Sequence, residues 1–304
     1  MLIRTQKIGK ALGSEIILTV LTKNESTSMQ TLEIVWANII AFEKRFSRFI
    51  ANSELSAFNA SAGQETRISP VLRKLLLIAQ KYSLKTDGLY NPFILPSLNR
   101  AGYIGSWPNP GDYDQALNYS IRQVFEINKL IIKRSTAVIP VNAALDFGGI
   151  GKGYLLDELA SYLDKSGIKN YWLSLGGDII CSGHDLENRN WKIGIADAND
   201  DEVAIETIDN KGSKMALATS GTTIRKGLGW HHIIDPRSGQ SADTDIVTTS
   251  VMAKSGVEAD VYAKCILILG SSNAEGFVKK KKLYAIVQTK AYSGDKALRY
   301  GKKI

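Results

Sequence analysis

Three segments of the chain gather residue types that can do chemistry. The first is LDFGGIGKGYLLD, residues 145–157, where four glycines and Lys152 precede an amphipathic run. A glycine-rich turn opening onto a helix offers backbone N–H groups and a positive dipole end to an anion. The two common phosphate loops do not match this spelling. A Walker-type loop needs a glycine five residues before its Gly-Lys pair, and Ser or Thr after the lysine. Asp146 and Gly153 occupy those places. The dinucleotide fingerprint fails as well, because Tyr154 stands where its third glycine belongs. What remains is an acid, a flexible turn and a cation at a helix start. The plainer reading is a strand-to-helix turn whose glycines serve backbone geometry, with Lys152 in solvent.

The second segment is HHIIDPRSG, residues 231–239, which holds two of the three histidines of the chain. Neighbouring residues of a strand point to opposite sides, so His231 and His232 do not chelate one metal together. Either can act as a general base near neutral pH, and Asp-Pro-Arg-Ser-Gly is by itself a strong turn signal. The third is EADVYAK, where Asp260 and Lys264 lie four residues apart on a helix. As a surface ion pair they would contribute about 0.3–0.5 kcal/mol. Alternatively, Asp260 is a hard oxygen ligand for Mg²⁺. The segment alone leaves both readings open.

Composition narrows the partners. With 38 Lys+Arg against 30 Asp+Glu the 304-residue chain carries a formal charge of +8, which favours anionic ligands such as nucleotides. No zinc-finger spacing and no aromatic RNA-binding pattern occurs, so no nucleic-acid partner is expected. Cys181 and Cys265 stand far apart, which excludes a disulfide framework or a cysteine-rich metal site. No stretch of about 18 apolar residues is present, so no membrane span or signal peptide is expected and a cytoplasmic location follows.

These segments need elements to hold them. A strand is expected over Glu15–Leu21, then a long helix capped by Ser28 with Leu32, Val35, Ile39, Phe42 and Phe46 on one face. Ser69-Pro70 opens another helix, with Leu72, Leu75, Leu76 and Ala79 on its stripe. Residues 86–98, TDGLYNPFILPSL, read as loop or short strand, and Gln123–Val141 as a β-hairpin. Leu155, Leu156, Leu159, Ala160 and Leu163 share the face of a helix. Further strands are expected at 170–182 around a Gly-Gly turn, and at 191–197, 215–221 and 246–253. A helix over 255–270 ends at Gly270, the four lysines of 279–282 close a helix, and a strand at 283–289 ends the fold. Helices and strands mix without a steady βαβ alternation, which makes the fold class α+β.

Read in order, LDFGGIGKGYLLD, SLGGD, ALATSG, HHIIDPRSG and EADVYAK resemble the ApbE family, the FAD:protein FMN transferases. Upstream, ANSELSAFN (51–59) and TDGLYNP (86–92) resemble two more of that family's segments, so the likeness runs from about residue 12 to 270. It implies an ApbE-like single domain over 1–304, two-lobed, with mixed β-sheets and flanking helices. It also implies that FMN moves from FAD to a Ser or Thr hydroxyl of an acceptor flavoprotein, with AMP released and Mg²⁺ assisting.

By position, the resemblance assigns FAD contacts to Leu12, Leu89, Tyr90, Asn91, Asp146, Lys152, Ser220 and Ile234. It makes the Gly149 carbonyl and Asp260 the Mg²⁺ ligands, and His232 the general base with His231 as the fallback. Two positions depart from the family pattern. Lys264 stands where many members have a metal-ligating Thr, and Asn91 where Asp is common. An ammonium has no lone pair for a metal. Lys264 could add positive charge at the pyrophosphate, or it could displace the metal and leave an FAD-binding protein without transferase activity. A metal-dependent FAD pyrophosphatase, with water as acceptor, is a further alternative.

Overall fold

A computed structural model describes residues 1–106, 124–291 and 296–303. Among them are seven α-helices: α1 (Glu25–Phe46), α2 (Glu54–Ala60), α3 (Pro70–Lys85), α4 (Leu95–Ala101), α5 (Gly151–Lys165), α6 (Gly256–Leu269) and α7 (Ser271–Lys281). The chain divides into two compact units. The first comprises Met1–Glu43, Gly151–Gly221 and Thr244–Ile304, the second Lys44–Ile150 and Thr222–Asp243. The boundary between Ile150 and Gly151 falls inside the glycine-rich turn.

The first unit is built on an eight-stranded sheet whose strands lie in chain order. They are β1 (Ile3–Ala11), β2 (Ser14–Thr22), β3 (Asn170–Leu175), β4 (Asp178–Ser182), β5 (Met215–Gly221), β6 (Ile246–Ala253), β7 (Tyr284–Thr289) and β8 (Leu298–Gly301). The α+β class expected from the sequence holds. In finer detail, every described pairing is antiparallel rather than mixed. β8 also pairs beyond the strand that was expected to end the fold.

Leu12-Gly13 makes the two-residue β1–β2 turn with both residues at positive φ, the backbone a tight hairpin needs. Gly176-Gly177 does the same between β3 and β4. A hairpin of Lys192–Ala196 and Ala204–Asp209 packs Ile193, Ile195 and Ile208 against Cys181, Leu217, Met252 and Ile286 of the sheet. Helix α6 packs on β5, β6 and α5. Most of its residues are buried, Val257, Val261, Cys265 and Ile268 included, as befits a helix apolar on nearly every face.

In the second unit α2, α3 and α4 accompany a three-stranded sheet of Thr66–Arg67, Thr136–Val138 and Ile131–Ile132. Ser69 caps α3 as expected, accepting the Leu72 N–H at 3.0 Å with Pro70 in the first turn.

Other local expectations change. Ser28 lies inside α1, and Asn24 caps that helix by accepting the Thr27 N–H at 3.1 Å. Residues 92–101 are helical: both prolines, Pro92 and Pro96, sit in first turns, where their missing N–H is no loss. Of the expected hairpin, Gln123 lies outside the described residues and Ile127–Lys129 form a 3₁₀ turn. Only Ile131–Ile132 and Thr136–Val138 pair.

Candidate active site

Four sequence segments meet in the first unit as one buried ionic cluster. Lys152, in the first turn of α5, places Nζ 2.5 Å from Asp178 Oδ2 at the start of β4. The other Asp178 oxygen accepts the Thr219 N–H of β5 at 3.2 Å. Asp260 Oδ2 accepts the Gly153 N–H at 3.0 Å, while its Oδ1 is paired with the Lys264 ammonium. The Asp260 side chain is 0 % exposed and that of Lys264 is 17 % exposed. This removes the surface-pair reading of EADVYAK: helical spacing makes the two residues neighbours, and α6 is buried. Burial pushes the Asp178 carboxyl above the usual aspartate range. Lys152 opposes this, Asp260 adds to it and Lys264 opposes it again.

The approach of α5 to α6 assembles this cluster. Gly153 meets Gly256 backbone to backbone, and a Cβ on Gly153 would fall on the Gly256 carbonyl oxygen and crowd Asp260 Cβ. Asp157, one turn further along α5, accepts the N–H groups of Gly256 and Val257 at 2.6 and 3.0 Å. It thereby caps α6 from outside, beside the helix's own cap Ser255. Burial raises the Asp157 carboxyl, and those two N–H groups work in the opposite direction. Of the remaining residues of this unit, Leu12 sits in the β1–β2 turn and donates its N–H to Glu43 at 2.8 Å. Ser220 is buried on β5 opposite Thr249 of β6.

The second unit carries a different group. Asp146 accepts from Arg48 Nε at 3.0 Å and from the Gly148 N–H at 2.7 Å, and its own N–H reaches the Pro92 carbonyl at 2.8 Å. The two side chains are 6 % and 10 % exposed. Arg48 also donates to Asn99 Oδ1 at 3.0 Å and to the Tyr103 carbonyl at 2.7 Å, and lies over the Phe49 and Tyr103 rings. Burial lowers its pKa, with Asp146 opposing. Tyr103 stacks on Trp230 and meets the His232 ring edge-on. Ile234 packs with Leu98 and Tyr103 in a small core.

The histidines are held by backbone carbonyls. His232 Nδ1 lies 3.1 Å from the Arg225 carbonyl, and His231 Nε2 lies 3.1 Å from that of Ala242. A carbonyl only accepts, so in the neutral rings the lone pair falls on Nε2 of His232 and on Nδ1 of His231. The Asp-Pro-Arg-Ser-Gly stretch is the expected turn, with Arg237 donating to the Asp235 carboxylate at 2.7 Å. Gly149 is buried in the turn ahead of α5.

In the loop after α3, Leu89 is half-buried and Tyr90 buried. Asn91 Oδ1 caps the 3₁₀ turn by accepting the Phe93 N–H at 3.0 Å, and its Nδ2 donates to Phe125 O at 2.9 Å. Asn91, Gly88, Ser83, Asp87, Pro236 and Arg237 line one cleft of about 350 Å³.

Thus Lys152, Asp260 and Lys264 come together, and Asp178 joins them. Asp178 was legible only as the last letter of SLGGD, Asp157 only as an acid in the helix pattern. Nothing in the sequence singled out Arg48 or Tyr103.

The residues present do not fit a divalent cation beside the lysines. Each oxygen of Asp178 and Asp260 accepts an N–H or ammonium group. Among the described residues no three His, Cys, Asp or Glu side chains gather as a metal site.

An antiparallel sheet in chain order, crossed by a buried helix that supplies an aspartate to a glycine-rich turn, is the frame on which the motif segments sit. The ApbE family model matches residues 12–287, and the chain belongs to the ApbE family. It is 27% identical over 259 residues to an FAD:protein FMN transferase of Vibrio cholerae serotype O1, covering 83% of this chain and 77% of that protein. It is 29% identical over 265 residues to one of Buchnera aphidicola, covering 82% and 75%. The solved flavin transferase ApbE from Vibrio cholerae shares the fold with a TM-score of 0.80 at 23% identity, over 99% of this chain and 97% of that one.

Proposed function

We propose that the chain is an FAD:protein FMN transferase, the activity named for its relatives. The observation that carries this reading is the convergence of four motif segments. LDFGGIGKG, SLGGD, ATSG and EADVYAK, scattered over 120 residues of sequence, supply Lys152 and Gly153, Asp178, Thr219, and Asp260 with Lys264 to one buried cluster.

In the proposed reaction the acceptor hydroxyl oxygen bonds to the flavin-side phosphorus of FAD. The bond from that phosphorus to the bridging oxygen breaks, AMP leaves with the electron pair, and the hydroxyl proton goes to a base. His232 is that base, through Nε2, with His231 second. Lys152 supports the pyrophosphate as a fixed cation. The remaining FAD contacts are assigned to Leu12, Leu89, Tyr90, Asn91, Asp146, Ser220 and Ile234. The partner is an acceptor flavoprotein with a Ser or Thr site, and a cytoplasmic setting belongs to the same proposal, tested by cell fractionation. Mg²⁺ on Asp260 and the Gly149 carbonyl is what the family resemblance implies; the ammonium partners that the carboxylates of the first unit already have speak against it.

The test is incubation with FAD and an acceptor flavoprotein domain, read as covalent flavin fluorescence on a denaturing gel. The expected result is one AMP released per label. FAD bound but no label would sink the transferase reading, and AMP released without acceptor would mark a pyrophosphatase.

A further inference from the structure

We propose that this chain has replaced a soluble divalent cation by a tethered one: the Lys264 ammonium occupies the cation position at Asp260, as Lys152 does at Asp178, and the site takes up no Mg²⁺. The proposal rests on the transferase reading for its meaning and on the first unit alone for its geometry.

Charge balance carries the argument. Two buried carboxylates face two ammonium groups, so the cluster is neutral as built. Burying a charge without a partner costs several kcal/mol, so each carboxylate requires its cation. Before FAD binds, a divalent ion added to this set would leave two uncompensated positive charges in a low-dielectric site. An ion substituted for Lys264 would have to expel an ammonium bound to its own helix one turn away.

Geometry agrees. Mg²⁺ takes about six oxygens at about 2.1 Å in a near-octahedral shell. Lys264 brings a nitrogen donor where that shell would need an acceptor. Its ammonium carries three N–H donors, and Asp260 receives two of them, at Oδ1 and at the carbonyl. Its side chain is partly open to solvent while Asp260 is closed off. A cation so placed can pair with a phosphate oxygen while remaining anchored, the same electrostatic task as a metal ion without its exchange.

The experiment measures the cation directly. Wild type and Lys264→Thr, stripped with EDTA and dialysed, are titrated with Mn²⁺ and followed by loss of the free-ion electron paramagnetic resonance signal. Wild type takes up no stoichiometric ion. Lys264→Thr binds a single ion at least about tenfold more tightly, a change of about 1.4 kcal/mol. Melting curves give an independent readout: Lys264→Thr melts lower than wild type without metal and recovers with Mg²⁺, whereas wild type does not respond. Wild-type labelling of the acceptor runs at the same rate in EDTA and in Mg²⁺.

Stoichiometric Mn²⁺ uptake by wild type, or wild-type labelling lost in EDTA and restored by Mg²⁺, overturns the proposal. If no acceptor is labelled under any condition, the transferase reading falls while the Mn²⁺ titration still decides the cation question. If Lys264→Thr does not fold, the wild-type titration decides it alone.

Discussion

Gly153 and Gly256 touch backbone to backbone where α5 meets α6, so that a methyl group on either would strike the carbonyl oxygen of the other. The same closeness brings the Gly153 N–H within 3.0 Å of Asp260. The last glycine of the turn therefore serves to let two helices approach. Gly153→Ala should cost about 1–3 kcal/mol through overpacking, read as a lower melting temperature, with acceptor labelling reduced alongside. An unchanged melting curve would contradict the close crossing.

Asp157 holds the first N–H groups of α6 with a carboxylate whose pKa is raised, chiefly by burial. Above the usual aspartate value of about 3.9, the folded state then holds more protons than the unfolded one. This contribution to stability is full below that value and declines as pH rises through the folded pKa. Asp157→Asn loses one acceptor but also the titration. Its melting temperature relative to wild type should therefore climb from about pH 4 to pH 7. A constant difference across that window would refute the assignment.

Arg48 joins Asp146, Asn99 and the Tyr103 carbonyl through a buried guanidinium fork. The single nitrogen of a lysine cannot reach these three divergent acceptors as the guanidinium does. Arg48→Lys should destabilise the protein by about 2–4 kcal/mol, close to the cost of breaking a buried pair. Limited proteolysis should show earlier cleavage in the second unit. Wild-type resistance in the variant would mean that the fork is dispensable.

His232 and His231 separate by their tautomers. His232→Ala should lower the rate of acceptor labelling by about 10²–10⁴-fold, the range of a lost general base, with FAD affinity kept. His231→Ala should act mainly through stability, because it removes the ring's contact with the Ala242 carbonyl while the backbone bonds to Ser241 remain. Equal loss of rate in both variants at equal melting temperature would leave His232 without its assigned role.

Much of the frame was legible in the chain because it is local. The 3.6-residue stripe of Leu155, Leu156, Leu159, Ala160 and Leu163, the Ser69-Pro70 start of α3 and the Gly-Gly turn after β3 each state their structure within a few residues. Where local signals compete, sequence alone does not choose between them. Asn24 and Ser28 are both good caps, and only the position of the first helical turn chooses Asn24. Prolines at 92 and 96 read as breakers although each sits in a first turn that tolerates it.

The site divides along the same line. Residue types and spacing determined by themselves that Asp260 and Lys264 face one another and that a glycine turn with Lys152 opens α5, since both follow from helical period and turn chemistry. Only the tertiary structure decided that α6 is buried on nearly every face, that Asp178 enters from a strand more than twenty residues beyond Lys152, and that the two aspartates already have ammonium partners. Burial and charge balance depend on which distant segments pack together, and no local pattern encodes that.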